Sequence, residues 1–209
     1  VSTNEASYQI LARWIGPNRS IPVIPLAFMN GAVTNTVPAR EAAYYQVVIP
    51  TNQPSWKVSL APLSGEVMLV AATNRVPSMK MDKKVKKPGK EHFVMLPPGP
   101  YESLTPGTNY LVVAGEGQSP SADNRIGLGA SQFVLKSHGN MSELDLGYLV
   151  SSEQSVSGSL EAGESVAYHF HTFPSTLGFY LKLEDRNGNP VMVSRPGMSL
   201  ADPGVGSAG

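Results

Sequence analysis

Two histidines one residue apart, His169 and His171, are the sharpest chemical signal in the chain. In an extended strand alternate side chains share a face, so both imidazoles would project together, opposite Tyr168 and Phe170, close enough to hold one metal ion. A closed site needs a third and a fourth ligand, and the spacing names none. The competing reading is a pair of histidines on the outer face of a sheet. His92 and His138 have no neighbours at ligand spacing.

A second signal is charge. Lys80, Lys83, Lys84, Lys86, Lys87 and Lys90 are six of the nine lysines, packed into eleven residues. Read as a loop insertion, this run offers a surface for sulfated or carboxylated polysaccharide, anionic headgroups or an acidic protein. The alternative is a solvated loop. Nucleic acid would call for interleaved aromatics to stack bases, and none lies between Met79 and His92.

Other chemistry is missing from the sequence. It has no Gly-x-Ser-x-Gly elbow, no phosphate-binding loop ending in Lys-Ser/Thr and no His-Glu-x-x-His. With no cysteine, disulfides, thiolate nucleophiles, zinc–thiolate sites and iron–sulfur clusters are all excluded. Gly127-Leu-Gly129 precedes a strand-like segment and reads as a turn. Glu41 and Glu164 both precede strand-like runs; a paired-carboxylate glycosidase would need them in one cleft, and a repeated turn role is the simpler reading. The expectation is a protein that is not an enzyme and carries no cofactor.

The elements that must position these residues are strands. Over 209 residues, charged side chains make up only 15%, with 16 basic groups balancing 16 acidic ones, while Gly and Pro number 20 and 18. That composition disfavours helix bundles and suits short strands joined by turns. Period-2 alternation predicts strands over 55–60, 67–71, 109–114, 131–136, 164–172, 178–184 and 190–194. Residues 38–46 could pass for helix on Ala and Glu content, but are read as strand. Asn187-Gly188 between apolar runs predicts a hairpin. No apolar run approaches the ~20 residues of a membrane-spanning helix. The start, Val1-Ser-Thr-Asn-Glu5, has neither the basic nor the apolar part of a signal peptide, as expected of a processed chain or a segment of a longer one.

The chain also resembles itself. Shifted by about 123 positions, residues 33–70 fall without a gap on residues 156–193. Val33, Ala39, Glu41, Tyr45, Leu60, Gly65 and Val70 meet identical partners, and most other positions keep their apolar or polar character. Trp56 meets Phe179, which predicts a core role for both. Extended backwards, Tyr8-Gln-Ile10-Leu-Ala-Arg13 lands on Ser131-Gln-Phe-Val-Leu-Lys136. The expected organisation is a closing or donor strand in 1–16, a complete β-sandwich in 17–139 and the opening half of a second in 140–209. Two unrelated segments that alternate alike are the alternative. Tyr8, Ile10 and Trp14 are the candidates for contact between units.

The run Val156-Ser-Gly-Ser-Leu160-Glu-Ala-Gly163-Glu164-Ser-Val-Ala-Tyr168-His-Phe170 resembles the opening of bacterial pre-peptidase C-terminal domains. Leu104-Thr-Pro-Gly107-Thr-Asn-Tyr110-Leu-Val112-Val113 is similar to their closing strands. The resemblance implies an all-β fold, an antiparallel, jelly-roll-like β-sandwich of about 100 residues, here in tandem. It also implies a non-catalytic role, secretion to the cell surface or beyond (periplasm included), and attachment to hydrolases or large surface proteins. Some relatives bind collagen or insoluble polysaccharide, sometimes with calcium. The family's acidic strand after the central turn is replaced here by Gly65-Glu-Val-Met-Leu69 and Gly188-Asn-Pro-Val-Met192, so its calcium ligands do not carry over. The expected partners are neighbouring repeats or subunits joined by strand complementation, as an oligomer or filament, with polysaccharide as the alternative and no nucleic acid.

Overall fold

The structure is a computed structural model that describes residues 21–77, 83–85, 91–97, 102–119, 127–150, 154–161, 163–197 and 200. Tyr8, Ile10, Trp14, Lys80, Lys86, Lys87 and Lys90 lie outside them. The described residues contain no helix, and hence none long and apolar enough to cross a membrane.

Residues 21–141 fold into two facing sheets. The strands are β1 (Val23–Pro25), β2 (Gly31–Pro38), β3 (Ala42–Ile49), β4 (Trp56–Ser64), β5 (Glu66–Thr73), β6 (Lys83–Val85), β7 (Glu91–Met95), β8 (Gly107–Gly117) and β9 (Ala130–Gly139). One sheet has the order β1-β3-β8-β5-β6 and the other β2-β9-β4-β7. Except from β5 to β6, the chain crosses between the two sheets at each step, and β8 and β9, the last of these strands in sequence, lie centrally in space. β8 lies between β3 and β5, and β9 between β2 and β4; neither of those outer pairs is bonded directly. All the ladders are antiparallel except β1 with β3, which run parallel.

Alternation along these strands makes the core. Tyr45 and Val47 of β3, Leu111 and Val113 of β8, and Phe133 and Leu135 of β9 are all fully buried. Tyr45 meets Phe133 edge-on, with ring centroids 6.4 Å apart, and burial raises its phenol pKa, partly offset by the hydrogen bond that Asn35 donates to it. Trp56 is satisfied internally: its indole N–H donates to Ser137 Oγ at 2.8 Å, and Ser137 in turn donates to the Phe28 carbonyl at 2.6 Å. A buried indole without such an acceptor would be costly.

Residues 143–197 behave differently. Their regular structure is β10 (Glu143–Tyr148) beside β11 (Ala167–His171), a two-stranded parallel ladder with an irregularity between Asp145 and Tyr148. The strands expected over 178–184 and 190–194 form no ladder among the described residues, and Asn187-Gly188 is a bend rather than a hairpin. Phe179, expected in the core, is 56% exposed, where Trp56 is 0%. The physical reason is the lack of partners: a strand without a neighbour on its hydrogen-bonding edge gains neither ladder nor packing.

A few turns about 123 residues apart share a backbone conformation. Arg40 and Gly163 have φ of 70° and 71°, Gly65 and Gly188 of 68° and 87°, and Asn74 and Gly197 of 58° and 102°. The Glu41 N–H donates to the Pro38 carbonyl at 3.1 Å, and the Glu164 N–H to the Glu161 carbonyl at 3.0 Å. β10 stands to β11 as β1 stands to β3, in parallel. The two ladders differ in register, however: Leu26 after β1 donates to the Gln46 carbonyl, whereas Leu149 after β10 donates to the carbonyl of His171, two residues beyond the position that matches Gln46, both at 2.8 Å.

Candidate functional site

β11 presents His169 and His171 as alternate residues, their rings 5.7 Å apart and nearly perpendicular. What the spacing lacked, the fold supplies. Parallel pairing sets Asp145 of β10 directly beside His169. Asp145 Oδ1 lies 3.2 Å from His169 Nε2, and a ligand atom from each of Asp145, His169 and His171 falls within 4.8 Å of the others. Two residues earlier on β10, Glu143 Oε2 lies 3.7 Å from His169 Nδ1.

The carboxylate is held in place. Gly147, with φ of 71°, turns its N–H back to Asp145 Oδ1 at 2.7 Å. That hydrogen bond, with the fields of His169 and His171, holds the Asp145 carboxyl below the ordinary aspartate range. Tyr148 lies 5.2 Å from the His171 ring and stacks on Phe173 at 4.8 Å, so it sits between the two rings at the surface. Asp145, His169 and His171 are all exposed.

A second cluster joins 161–164 to the sandwich. Lys57 of β4 reaches Glu164 at 2.7 Å, and buried His92 of β7 reaches Glu161 at 2.7 Å. The Glu164 carboxyl is held low, chiefly by the Lys57 hydrogen bond and then by the Glu161 N–H. Both Glu164 oxygens are engaged, one by Lys57 and the other by that N–H at 3.0 Å. Glu41 and Glu164 each follow a left-handed residue in a turn. His138 lies on β9, where its Nε2 is 2.8 Å from Ser59 Oγ, and its ring is 6.3 Å from that of His92.

Of the lysine run, Lys83 and Lys84 belong to β6, the edge strand paired with β5 through Ala71↔Lys83 and Val70↔Lys84. Part of the expected loop is therefore a strand. A cleft lined by Leu146, Gln154, Ser155 and Val156 lies beside β10 and holds no ionisable side chain.

No protein-family model and no curated protein matches the chain. Among solved structures it is similar to the pre-peptidase C-terminal domain of a collagenase from Bacillus anthracis, the family its strand motifs resemble, at 14% identity and TM-score 0.37, over 57% of this chain and 98% of that one. It is also similar to PliG of Aeromonas hydrophila, a periplasmic inhibitor of g-type lysozyme, at 8% identity and TM-score 0.33, over 55% and 96% of the two chains. These likenesses concern the all-β fold.

Proposed function

We propose that the chain is a non-catalytic, extracellular structural module that works by association. In this reading residues 17–139 are a finished sandwich, and 140–209 are the opening half of a second one, closed by strands supplied from outside residues 143–197. The single observation that carries it is the exposure of side chains at core positions. Tyr168, Phe179 and Leu183 are 39%, 56% and 40% exposed, whereas Tyr45, Trp56 and Leu60, about 123 residues earlier, are at 0%, 0% and 4%.

The topology gives this a cause. In the finished sandwich β1 pairs with β3 directly, but β3 reaches β5 only through β8, and β2 reaches β4 only through β9. A half built from the first strands alone can form just one ladder, the parallel one, as with β10 and β11. Strands of the β8 and β9 type would bridge the rest and bury the exposed apolar residues. They come either from a continuing chain or from a neighbouring molecule; residues 8–13, similar to β9 in sequence, are the nearest source in kind.

The test is light scattering and dye binding on the full chain. Association between about 1 and 100 µM, or strong binding of a hydrophobic dye, is expected, and Phe179→Ser with Leu183→Ser should reduce both. A monomer that binds no dye, unchanged by these substitutions, would overturn the proposal.

A second reading, a polymer-binding accessory module of a secreted hydrolase, draws on the exposed Tyr148–Phe173 stack. Flat exposed rings suit sugar faces. Co-sedimentation with insoluble polysaccharide that Tyr148→Ala abolishes would favour it.

A further inference from the structure

We propose that Asp145, His169 and His171 form a binding site for a divalent transition metal of the zinc class, fastening β10 to β11 and leaving a coordination position open. The site lies within one chain and is independent of how the second half is closed.

The donor set selects the metal. Two imidazoles and a carboxylate suit zinc, copper or nickel, whereas calcium and magnesium take all-oxygen shells. Around a tetrahedral ion with bonds of about 2.0–2.1 Å, ligand atoms stand about 3.4 Å apart. Asp145 Oδ1 and His169 Nε2, 3.2 Å apart, already match. The His171 donor lies within 4.8 Å of both, so a small rotation of an exposed side chain completes the set. Metal-bound imidazoles commonly have a carboxylate at the other ring nitrogen, and Glu143 is placed for that part, 3.7 Å from His169 Nδ1.

The site also answers a structural need. A two-stranded ladder is marginal in water by itself, and a metal held by one ligand from β10 and two from β11 would cross-link it. The fold does not demand these ligands: the residues about 123 positions earlier are Pro22, Gln46 and Val48, and β1 pairs with β3 without them. The other histidine–carboxylate cluster is a poorer host, because the Lys57 ammonium already neutralises Glu164 at 2.7 Å.

The experiment is calorimetric titration of Zn²⁺ and, separately, Ca²⁺ into the chelator-treated full chain, with NMR observation of the histidine ring protons. One saturable Zn²⁺ site is expected, shifting the His169 and His171 resonances, with at least tenfold weaker affinity in His169→Ala, His171→Ala and Asp145→Asn. The far-UV spectrum of each variant should stay as in the parent, since all three side chains are exposed. No saturation at 100 µM Zn²⁺ (about the weakest site that would count as specific), equal affinity in the double histidine variant, or a preference for Ca²⁺ would overturn the proposal.

Discussion

The Lys57 ammonium and the Glu164 carboxylate meet at 2.7 Å, tying the four-stranded sheet to the turn that precedes β11. Beside them His92 holds Glu161 at the same distance. Glu164 titrates lower here than it would in an unfolded chain. A carboxyl so lowered contributes its full stabilisation above the unfolded value of about 4.3, and loses it as pH falls through the lower folded value. Thermal melts at descending pH should therefore show an acid limb that Glu164→Gln flattens. At neutral pH the pair is worth about 1 kcal/mol or less, being partly exposed. Identical acid limbs in parent and variant would deny the pair any part in acid stability.

Arg40 is exposed and held at φ of 70°, where Gly163 takes 71° with no Cβ to crowd. A non-glycine residue there costs about 1–2 kcal/mol, and glycine costs about 0.5–1 kcal/mol in chain entropy. Arg40→Gly should therefore stabilise the sandwich by roughly 0.5–1 kcal/mol. Urea denaturation at constant m-value measures it; a loss of stability would contradict the strain argument.

Ser137 accepts from Trp56 and donates to Phe28 in a fully buried position. Ser137→Ala removes both bonds at once and leaves the indole N–H with no acceptor. The expected cost is about 1–3 kcal/mol, read from the same denaturation curves, whereas Ser137→Thr keeps the hydroxyl and should cost less. Equal losses in the two variants would assign the effect to packing instead.

How much of this is legible in the sequence depends on how far apart the partners lie. Period-2 alternation marks β4, β5, β8, β9 and β11, because one buried face writes itself into the residue order, while β3, helix-like in its Ala and Glu content, is marked only by its likeness to the segment about 123 residues later. It fails at 178–184 and 190–194, where the same pattern is present and no strand among the described residues pairs with it. Pattern records what a strand can bury, and pairing decides whether it does. The histidine pair on β11 is readable for the same local reason. Asp145 is not: it joins the pair through a parallel register with another strand, and spacing carries no trace of that. The latch from Lys57 to Glu164 is equally silent in the sequence. Lys83 and Lys84 carry no alternation to mark β6, so the lysine run reads as loop throughout.

That run gives a prediction of its own. Replacing Lys80, Lys83, Lys84, Lys86, Lys87 and Lys90 with Gln removes six positive charges from eleven residues. If the segment holds a sulfated or carboxylated polymer, retention on immobilised heparin should fall sharply and lose its salt dependence. Unchanged retention would leave the run without a polymer-binding part.

The strongest contrast lies between Phe133 and Phe179. Phe133 is fully buried, packed edge-on against Tyr45. Truncation to Ala opens a cavity in a formed core and should cost about 3–5 kcal/mol. Phe179 is more than half exposed and rests against Phe170 at 5.3 Å. For the isolated chain at low concentration, Phe179→Ala should change stability by no more than about 0.5 kcal/mol. If strands of the β8 and β9 type close the second half, that near-silence ends. Added in trans or in a longer chain, they turn Phe179 into the counterpart of Trp56, and the same substitution should then cost several-fold more. Measuring Phe179→Ala in both contexts separates an unfinished core from a surface that stays open: a penalty that never grows would mean that the exposed aromatics serve a ligand and not a partner strand.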